Sequence, residues 1–578
     1  MFKLRRFLFN YKKEVIIGPL CKLFEAILEL FVPLVMANII DVGIKEKQDF
    51  GYVLQMGSVM LLLAAAGLGS ALVCQYLASR ASQGVGTQIR RELFEHIGTL
   101  SHAELDSLGT PSLITRMTND INQVQQSVAM CIRLLTRAPF IIVGSMIMAM
   151  TINFKMSLIF IVAAILIGIT LYIVMSRSIP IYSSIQKKLD KIGLLSRENL
   201  SGSRVIRAFS KQESEKRRVD AATDELAKAA IRVSRLSALL SPATYAITNF
   251  AIILIIWFGA GFVNSGSGML SGDIVALVNY MTQILLAMIV VANLVLLLTK
   301  SSACAKRINE VFETKPSVVE TAKNPVTADL SSPHVEFENV SFNYGDGDDE
   351  LTNLSFSIKR GQTVGIIGGT GSGKSTLVNL IPRFYDATDG EVRLDGVNVK
   401  DYPFAQLRRQ IGIVPQQSTL ISGTIRDNMR WRNENATEAE IISALKIAQA
   451  YDFVSKLPLG LDSRVEQGGR NFSGGQRQRL CIARALVGEP SLLILDDSFS
   501  ALDFATDAAL RKALNENTKG ATVIIVTQRC STIKNADLII VLDDGKAVGQ
   551  GTHKELLESC DTYREICLSQ LSEKEAAR

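Results

Sequence analysis

The stretch Gly368–Ser375 carries the clearest chemical signal in the sequence. It reads GGTGSGKS and fits the phosphate-binding pattern G-x-x-x-x-G-K-[ST]. Glycines let backbone N–H groups close around phosphate oxygens, and the helix that follows directs the positive end of its dipole at the same anion. Lys374 is expected to neutralise the β- and γ-phosphates, and the hydroxyl of Ser375 to bind Mg²⁺. The residues expected to contact nucleotide here are Gly368, Gly369, Thr370, Gly371, Ser372, Gly373, Lys374, Ser375 and Thr376.

The elements around this loop have the required order. Thr363–Ile367 is apolar and predicts a buried strand, and Thr376–Ile381 predicts a helix, which together give the strand–loop–helix context of a P-loop. Upstream, Val335–Tyr344 alternates like a strand. Tyr344 at its end is a candidate for stacking on adenine; the alternative is an ordinary core or surface tyrosine.

Two further polar residues follow predicted strands. Gln416 comes after the strand Ile411–Pro415, where its amide can reach Mg²⁺ and the attacking water. Asp496 ends the apolar strand Leu492–Asp496, the arrangement in which a carboxylate holds Mg²⁺. The predicted metal ligands are therefore Ser375, Gln416 and Asp496.

A second candidate phosphate site lies at the start of another helix. Small residues and free N–H groups precede the predicted helix Arg477–Val487. This site cannot easily reach the phosphate that the P-loop of the same chain holds, so the sequence predicts a partner chain that closes over it. Its residues are Phe472, Ser473, Gly474, Gly475 and Gln476.

Composition divides the chain into a membrane domain and a soluble domain. With 578 residues the chain is too long for one hydrophobic core. Hydrophobic residues make up 48% of it, the mean hydropathy is +0.22, and the apolar residues are concentrated before residue 300. The net charge of +6 is modest for this length and favours a cytoplasmic Lys/Arg bias on a membrane protein over nucleic-acid binding.

About six stretches are long and apolar enough to cross a bilayer, which takes about 20 residues. The long connections between them, residues 78–127 and 176–238, hold many Lys and Arg residues, whereas Asn264–Asp273 holds none. By the positive-inside rule the N-terminus, the long connections and the soluble domain are cytoplasmic, and the protein is a multi-pass protein of the cell membrane. The predicted spans are Val15–Ile44, Tyr52–Leu77, Val128–Ile152, Met156–Met175, Leu239–Val263 and Ile274–Leu298.

Several polar side chains fall within these spans. Polar groups in hydrocarbon are costly, so they should face a cavity or another helix. Two interpretations stay open, a substrate pathway and hydrogen bonding between helices. The residues are Lys22, Glu25, Glu29, Asn249, Asn279, Gln283 and Asn293.

The predicted fold is thus an all-α polytopic membrane domain, residues 1–312, followed by an α/β P-loop ATPase domain, residues 335–578. The polar, proline-containing residues 313–334 form the linker. Two segments of the long connections, Ser107–Asp120 and Asn199–Phe209, are candidates for short helices that dock on the soluble domain; the alternative is an ordinary turn.

The cysteines form no C-x-x-C pattern and are predicted to be free thiols, and no metal site is predicted among the histidines.

Together, Gly368–Ser375, Gln416, Phe472–Gln476, Asp496 and Ser500–Asp503 resemble the nucleotide-binding domain of ATP-binding cassette (ABC) transporters. With about six spans ahead of it, the whole chain resembles a half-transporter of the exporter type. The resemblance implies ATP-driven transport by a dimer with two ATP sites, each joining the P-loop of one chain to the signature motif of the other.

The resemblance also implies which residues carry closure and catalysis. Segments near Ser107–Ser112 and Ser201–Arg207 would transmit closure to the membrane helices. The family usually has a catalytic glutamate where this chain has Asp497 and a histidine where it has Gln528. Aspartate is one methylene shorter, and a misplacement of about 1 Å can cost roughly 10²-fold in rate. Glutamine cannot carry the proton or positive charge of a histidine, so Gln416, Asp497 and Gln528 form a weakened catalytic set.

An intact signature beside a weakened catalytic set resembles one subunit of the bacterial heterodimeric multidrug exporters. We therefore expect a heterodimer that binds ATP and Mg²⁺, in which this chain's own site turns over slowly and its signature serves the partner's site. The implied cargo is amphipathic, drug-like compounds or lipids. The alternatives are a homodimeric exporter with an active Asp497 and an ATP-gated regulatory subunit that moves no cargo. Import and peptide processing are disfavoured, because the domains are fused and no N-terminal peptidase domain precedes the spans.

Overall fold

The computed structural model describes residues 2–265, 269–322, 324–345, 347, 349–518 and 520–570. The chain forms two compact units. The first consists of Met1–Gly98 and Pro111–Glu313, and the second of Thr99–Thr110 and Thr314–Arg578.

The first unit is helical and confirms the prediction of about six spans. Among the described residues, 6 helical stretches are long and apolar enough to cross a membrane, and each predicted span lies inside one of them. These stretches are Leu4–Glu46, Phe50–Thr99, Thr110–Ile152, Phe154–Ser201, Gln212–Asn264 and Ser271–Glu313. Each is 43–53 residues long, more than the roughly 20 residues that a bilayer requires.

The helices of the first half of the chain, in order, are α1 (Lys12–Asn38), α2 (Phe50–Thr99), α3 (His102–Leu108), α4 (Thr110–Thr115), α5 (Ile121–Leu134), α6 (Arg137–Ile152), α7 (Phe154–Ser201), α8 (Ser203–Ala208), α9 (Gln212–Ala238), α10 (Leu240–Asn264) and α11 (Ser271–Glu313). A 3₁₀ helix, Phe2–Tyr11, precedes α1, and π-helical turns lie at Ile39–Glu46 and Arg116–Asp120.

The π-helical turn between α4 and α5 carries the buried carboxylate of an ion pair with α11. The guanidinium of Arg307 on α11 donates through Nε to Asp120 Oδ2 at 2.7 Å. In return, Arg116 Nη1 donates to the carbonyl of Arg307 at 2.9 Å. Deeper along the same two helices, the hydroxyls of Ser127 and Ser301 lie 2.7 Å apart. These contacts tie α5 to α11 along the length of the pair.

Four of the seven polar residues predicted within the spans have side-chain partners. Lys22 donates to Glu25 at 2.8 Å on α1, and Arg137 on α6 donates to Glu29 at 2.7 Å. Ser145 on α6 lies 3.4 Å from the amide oxygen of Gln283 on α11. For these residues the contacts favour hydrogen bonding within and between helices over a substrate pathway.

The second unit is built on a 6-stranded sheet in the order β12-β11-β3-β10-β9-β6, parallel except for β12. A 4-stranded antiparallel sheet, β2-β1-β4-β5, packs in the same unit. The strands are β1 (Val335–Phe342), β2 (Leu351–Ile358), β3 (Thr363–Gly368), β4 (Asp389–Leu394), β5 (Val397–Asn398), β6 (Ile411–Val414), β7 (Gly423–Thr424), β8 (Arg464–Val465), β9 (Leu492–Asp496), β10 (Thr522–Val526), β11 (Leu538–Asp543) and β12 (Lys546–Gly551).

The central strands β9 and β10 are buried along their whole length, as expected for parallel strands covered on both faces. The helices of the second half are α12 (Lys374–Leu380), α13 (Phe404–Gln410), α14 (Ile425–Arg430), α15 (Glu438–Ile447), α16 (Tyr451–Val454), α17 (Gly474–Leu486), α18 (Phe504–Asn517), α19 (Cys530–Ile533), α20 (His553–Ser559) and α21 (Asp561–Gln570).

One helix of the membrane half's connections belongs to the second unit, and it lies earlier than predicted. The docking segment is α3, His102–Leu108, whereas Thr110 already begins the next long helix. A capping box between Ser101 and Glu104 starts α3, and Gly109, with φ of 72°, ends it. The candidate segment Ser107–Asp120 therefore contains only the last two residues of α3, and its part from Pro111 onward lies in the first unit. The second candidate segment contains α8, which lies in the first unit.

Candidate nucleotide-binding site

The register of the large sheet brings the predicted site residues to one edge. Val526 of β10 pairs with Ile366 of β3 on one side and with Asp496 of β9 on the other. The loops that leave these strands therefore start side by side at the carboxyl ends of the strands, where ligands bind in open α/β sheets. The P-loop follows β3, Asp497 follows β9, and Gln528 follows β10. Gln416 lies two residues past β6, which pairs with β9.

The P-loop closes around the ammonium group of Lys374. Lys374 Nζ donates to the carbonyl of Gly368 at 3.0 Å, to that of Gly369, and to the hydroxyl of Ser372 at 3.2 Å. A side chain at Gly368 would lie 2.1 Å from the carbonyl of Leu542, so only glycine fits there. Gly373 has φ of 86° and a side chain there would contact Leu351, which excludes other residues at the start of α12.

The charge of Lys374 is poised for an anion. The side chain is buried, and no carboxylate of the described residues lies within salt-bridge distance of it. Burial lowers its pKa, while the nearby charges of Asp496 and Asp497 raise it. An ammonium that contacts only neutral oxygens in a buried loop fits a bound phosphate, which would restore its charge balance.

Ser375 and Asp496 form the pair expected to hold a divalent cation. The hydroxyl of Ser375 donates to Asp496 Oδ1 at 3.1 Å. Burial raises the pKa of Asp496, and the hydrogen bond from Ser375 and the charge of Lys374 oppose that shift. A hydroxyl and a carboxylate oxygen in contact at the mouth of the loop are the hard oxygen donors that Mg²⁺ prefers.

Tyr344 lies next to the P-loop helix. Its hydroxyl is 3.0 Å from the hydroxyl of Thr376, and its ring packs edge-on against Phe342 at 4.8 Å and Tyr385 at 5.2 Å. The ring is nevertheless 53% exposed, so a face remains open beside the loop. This placement is compatible with stacking on a nucleotide base.

Asp497 is held in an unusual backbone conformation. Its φ is 47°, in the left-handed region, and its N–H donates to the carbonyl of Val526 at 3.0 Å. None of the described residues donates a hydrogen bond to its carboxylate, which is half-buried. Strained backbone of this kind recurs at functional sites, and aspartate tolerates it better than most residues. Gln528 and Gln416 are both exposed at the same edge of the sheet.

The signature segment, Phe472–Gln476, caps a separate helix, α17. The hydroxyl of Ser473 accepts from the N–H of Gln476, and the amide oxygen of Gln476 accepts from the N–H of Ser473 at 2.9 Å. This capping box begins α17, while Phe472 is buried and lies 6.4 Å from the ring of Phe453. A side chain at Gly475 would lie 3.1 Å from the carbonyl of Ala501. Within the described residues, no hydrogen bond joins this segment to the P-loop.

Gln478 is a residue of the site region that the sequence analysis missed. It is buried on α17, donates to the carbonyl of Asp497 at 3.2 Å and accepts from the N–H of Ala501 at 3.2 Å. One side chain thus fixes both ends of the turn that follows Asp496. Its position two residues after the signature was the available signal, since a buried glutamine must find partners for its amide.

The structure contradicts the prediction that all cysteines are free thiols. Cys530 and Cys567 are disulfide-bonded, with Cα atoms 5.5 Å apart. His553 lies beside this pair, with ligand atoms of Cys530, His553 and Cys567 all within 4.8 Å of one another. The separation of 37 residues gave no sequence pattern, because helix α21 brings Cys567 back against the start of α19 only in the folded unit.

Comparisons with known proteins agree with the two-unit architecture. Residues 15–290 match the family described as ABC transporter transmembrane region, and residues 351–500 match the family described as ABC transporter. An ABC exporter structure, titled as a bacterial Atm1-family exporter with ATP bound, superposes with a TM-score of 0.78 at 24% identity and covers 99% of both chains. The fold is therefore that of an Atm1-family ABC exporter.

Sequence relatives cover nearly the whole chain. YfiB of Bacillus subtilis, an uncharacterised ABC transporter ATP-binding protein, is 38% identical over 571 residues, covering 99% of this chain and 98% of its own. A similarly named protein of Mycobacterium tuberculosis is 38% identical over 572 residues, covering 98% and 97%. An ATP-dependent lipid A-core flippase of Hahella chejuensis is 34% identical over 521 residues, covering 89% and 88%. The protein therefore belongs to the ABC transporter family, as a multi-pass membrane exporter with ATP-driven translocase activity.

Proposed function

We propose that this chain is one subunit of an asymmetric heterodimeric exporter. Its own site binds ATP with slow turnover, and its signature segment completes a hydrolytic site on the partner. The observation that carries the proposal is the composition of one sheet edge. There, a complete phosphate-binding set, Lys374, Ser375 and Asp496, stands beside a shortened carboxylate, Asp497, and an uncharged amide, Gln528.

In this proposal nucleotide binding is intact. The P-loop N–H groups and Lys374 hold the phosphates, Tyr344 stacks on the adenine, and Ser375, Asp496 and Gln416 hold Mg²⁺. The buried ammonium of Lys374, which contacts only neutral oxygens, and the contact between Ser375 and Asp496 support the fit. When bound, Mg²⁺ would neutralise charge on the β- and γ-phosphates.

The weak step is positioning of the attacking water. Asp497 reaches less far than the glutamate usual in the family, and Gln528 can orient an oxygen by hydrogen bonding but cannot offset negative charge as a protonated histidine can. Transition-state charge on the γ-phosphate is then poorly stabilised, whereas ground-state binding is unaffected.

The signature segment has the features of a donor to a second site. Phe472–Gln476 ends in the N-terminus of α17, a helix of 13 residues whose dipole favours an anion. No hydrogen bond ties it to the P-loop of its own chain in the described residues. We therefore propose that Ser473 and Gln476 face the γ-phosphate held by the partner.

The proposed cargo is amphipathic, drug-like compounds or lipids. The lipid A-core flippase among the relatives favours a lipid or lipid-like molecule. In the first unit, α7 and α10 line an apolar groove of about 460 Å³ that includes Val162, Leu166 and Phe250.

We further propose that residues 313–334 act as the linker and that the N-terminus and ATPase unit are cytoplasmic.

A pair of variants tests the asymmetry in the complex that co-purifies with the tagged chain. Lys374→Ala removes phosphate binding from this chain's own site and should leave more than half of the ATP hydrolysis of the complex. Ser473→Ala removes a donor from the partner's site and should lower hydrolysis at least roughly tenfold, the range found when one transition-state donor is lost. In a homodimer every site needs both residues, so equal loss in the two variants would refute the proposal.

The control for Ser473→Ala is Thr437→Ala. Thr437 caps α15 with the same capping-box geometry, through Glu440, far from the signature in sequence. Loss of either cap costs about 1 kcal/mol of helix stability, so a decline shared by both variants would be a folding effect.

Export of an amphipathic dye by vesicles that contain both chains separates an exporter from a regulatory subunit, which would move no dye.

A further inference from the structure

The last described helix, α21, holds the turn that carries Gln528. Gln570 at its end donates from Nε2 to the carbonyl of Gln528 at 2.7 Å and accepts at Oε1 from the N–H of Cys530 at 3.0 Å. One amide side chain therefore holds both the middle of the turn between β10 and α19 and the first residue of α19. A movement of α21 would change these contacts to the turn that carries Gln528.

A covalent link fixes the same two elements. Cys530 is the first residue of α19 and Cys567 lies one helical turn before Gln570, so the disulfide sets the face of α21 from which Gln570 reaches the turn. Both sulfur-bearing side chains are buried, each with 0% exposure. A reagent in solution can reach them only when α21 lifts away, which couples the bond to the docking of the helix.

The surroundings of the pair favour thiol chemistry over metal binding. Tyr563 is buried between its neighbours, with its hydroxyl 3.6 Å from Cys530 Sγ and 2.7 Å from Nδ1 of His553. Cys530, His553 and Cys567 could together offer ligand atoms to an ion. The sulfurs, however, are bonded to each other and Nδ1 of His553 already contacts Tyr563, so a disulfide is the better description of the site.

We propose that Cys530 and Cys567 form a reversible thiol–disulfide site that controls how firmly α21 holds the Gln528 turn. The disulfide locks the turn, and reduction releases it. Thiol–disulfide bonds in cytosolic proteins are usually transient and redox-sensing, so the regulatory role rests on the proposed cytoplasmic placement of the ATPase unit and on the proposed function of its site.

The chemistry is a balanced exchange with a dithiol. A thiolate of the reductant attacks one sulfur of the disulfide, forms a mixed disulfide and releases the other sulfur as a thiolate that takes up a proton. The second thiol of the reductant, as a thiolate, then attacks the reductant's own sulfur in the mixed disulfide and expels the remaining cysteine sulfur, which takes up a proton. The reductant becomes a cyclic disulfide, while Cys530 and Cys567 become two thiols. Two electrons and two protons pass to the chain. A small disulfide, such as oxidised glutathione, drives the reverse reaction.

The test uses the full chain in lipid nanodiscs, treated with dithiothreitol or with oxidised glutathione and then alkylated. Peptide mass spectrometry should find a linked Cys530–Cys567 peptide only in the oxidised sample. Hydrogen exchange in residues 527–533 and 561–570 should be about tenfold faster after reduction, whereas α12 should exchange equally in both.

Two variants sharpen the result. Cys567→Ser should abolish the redox response of both segments, and Cys560→Ser, which removes an unbonded buried cysteine of the same region, should leave it intact. Three outcomes would overturn the proposal: both thiols alkylated after oxidation, a bound metal ion with two free thiols, or faster exchange confined to residues 561–570. Thiol state and exchange require no turnover, so brisk hydrolysis by the chain alone would refute the degenerate site without altering these readouts.

Discussion

At the scale of single residues, the proposed slow turnover depends on the reach of one carboxylate. Asp497 sits at the edge of the sheet where the base is expected, but its side chain is one methylene shorter than glutamate. Because the strand pairing and the hydrogen bond to Val526 fix its backbone, the lost reach cannot be recovered by a small shift of the turn.

Replacing Asp497 with glutamate should therefore accelerate hydrolysis. We expect Asp497→Glu to raise steady-state turnover of the purified chain by about 10- to 100-fold, since a displacement of about 1 Å is worth roughly that much. The left-handed backbone there costs a glutamate about 1 kcal/mol, too little to prevent folding. Asp497→Asn, which keeps the size and removes the base, should show no increase. An unchanged rate in Asp497→Glu would mean that the aspartate already works as the base.

A second residue-scale prediction concerns acid stability. His334 is fully buried, its Nδ1 lies 2.6 Å from the hydroxyl of Thr522, and its pKa is lowered from 6.5 to about 4, chiefly by burial, with Asp395 opposing and Arg360 adding to the shift. The folded state therefore binds the proton less readily than the unfolded state. The stabilising contribution is complete above the unfolded pKa of 6.5 and is lost as the pH falls from there towards 4.

Between pH 7 and pH 5 the loss should be about 2 kcal/mol in the free energy of unfolding. Calorimetry of the full chain in nanodiscs at the two pH values measures it. The His334→Gln variant lacks the titrating group and should lose correspondingly less over the same interval. An equal loss in the variant and the wild type would assign the pH dependence to other groups.

At the scale of elements, α3 is joined to the nucleotide site by a short chain of contacts within the second unit. Glu104 accepts from the N–H of Ser317 at 3.2 Å, and the ring of His102 packs 4.5 Å from that of Phe384. The hydroxyl of Tyr385 donates to Asp106 at 3.1 Å, and its ring packs against Tyr344. Burial, with Asp106 adding to it, raises the pKa of Tyr385 and keeps this hydroxyl a donor.

Loss of the hydrogen bond between Tyr385 and Asp106 should weaken the coupling between the nucleotide site and α3 while sparing ATP binding. A typical bond of this kind contributes about 1 kcal/mol, so Tyr385→Phe should lower ATP-dependent dye export by roughly fivefold with an unchanged affinity for ATP. Tyr402→Phe is the matched control, because Tyr402 donates to the carbonyl of Leu394 elsewhere in the same unit. Equal effects of the two variants would indicate a general loss of stability.

The elements that the sequence predicted well are those set by local patterns. Periods of apolar residues located the spans, and the strand–loop–helix pattern located β3 and α12, because hydrophobic burial acts along contiguous sequence. The start of α3 was not predicted, although Ser101 and Glu104 fit a capping box. The reason is that Gly109 and Pro111 favour an element boundary further along the chain. The Cys530–Cys567 disulfide and the hydrogen bonds from Gln478 to Asp497 and Ala501 join segments that are distant in sequence. No local pattern in a single sequence predicts such contacts.

At the scale of the whole molecule, the proposed function is a division of labour between this chain and a partner. In the described part of the chain, the membrane unit has 6 apolar stretches, and the ATPase unit has a P-loop and a signature segment that no hydrogen bond joins to that loop. An exporter built on this plan needs a second chain to complete each ATP site. The account therefore depends on how little this chain can hydrolyse by itself.

The most direct measurement is steady-state ATP hydrolysis by this chain purified alone in lipid, with ATP binding followed in parallel. We predict ATP binding that Lys374→Ala abolishes, together with only slow turnover by the chain alone, which rises when the partner is added. Brisk turnover by the chain alone that Lys374→Ala abolishes would contradict it. In that case Asp497 and Gln528 suffice for catalysis, and the protein is a homodimeric exporter.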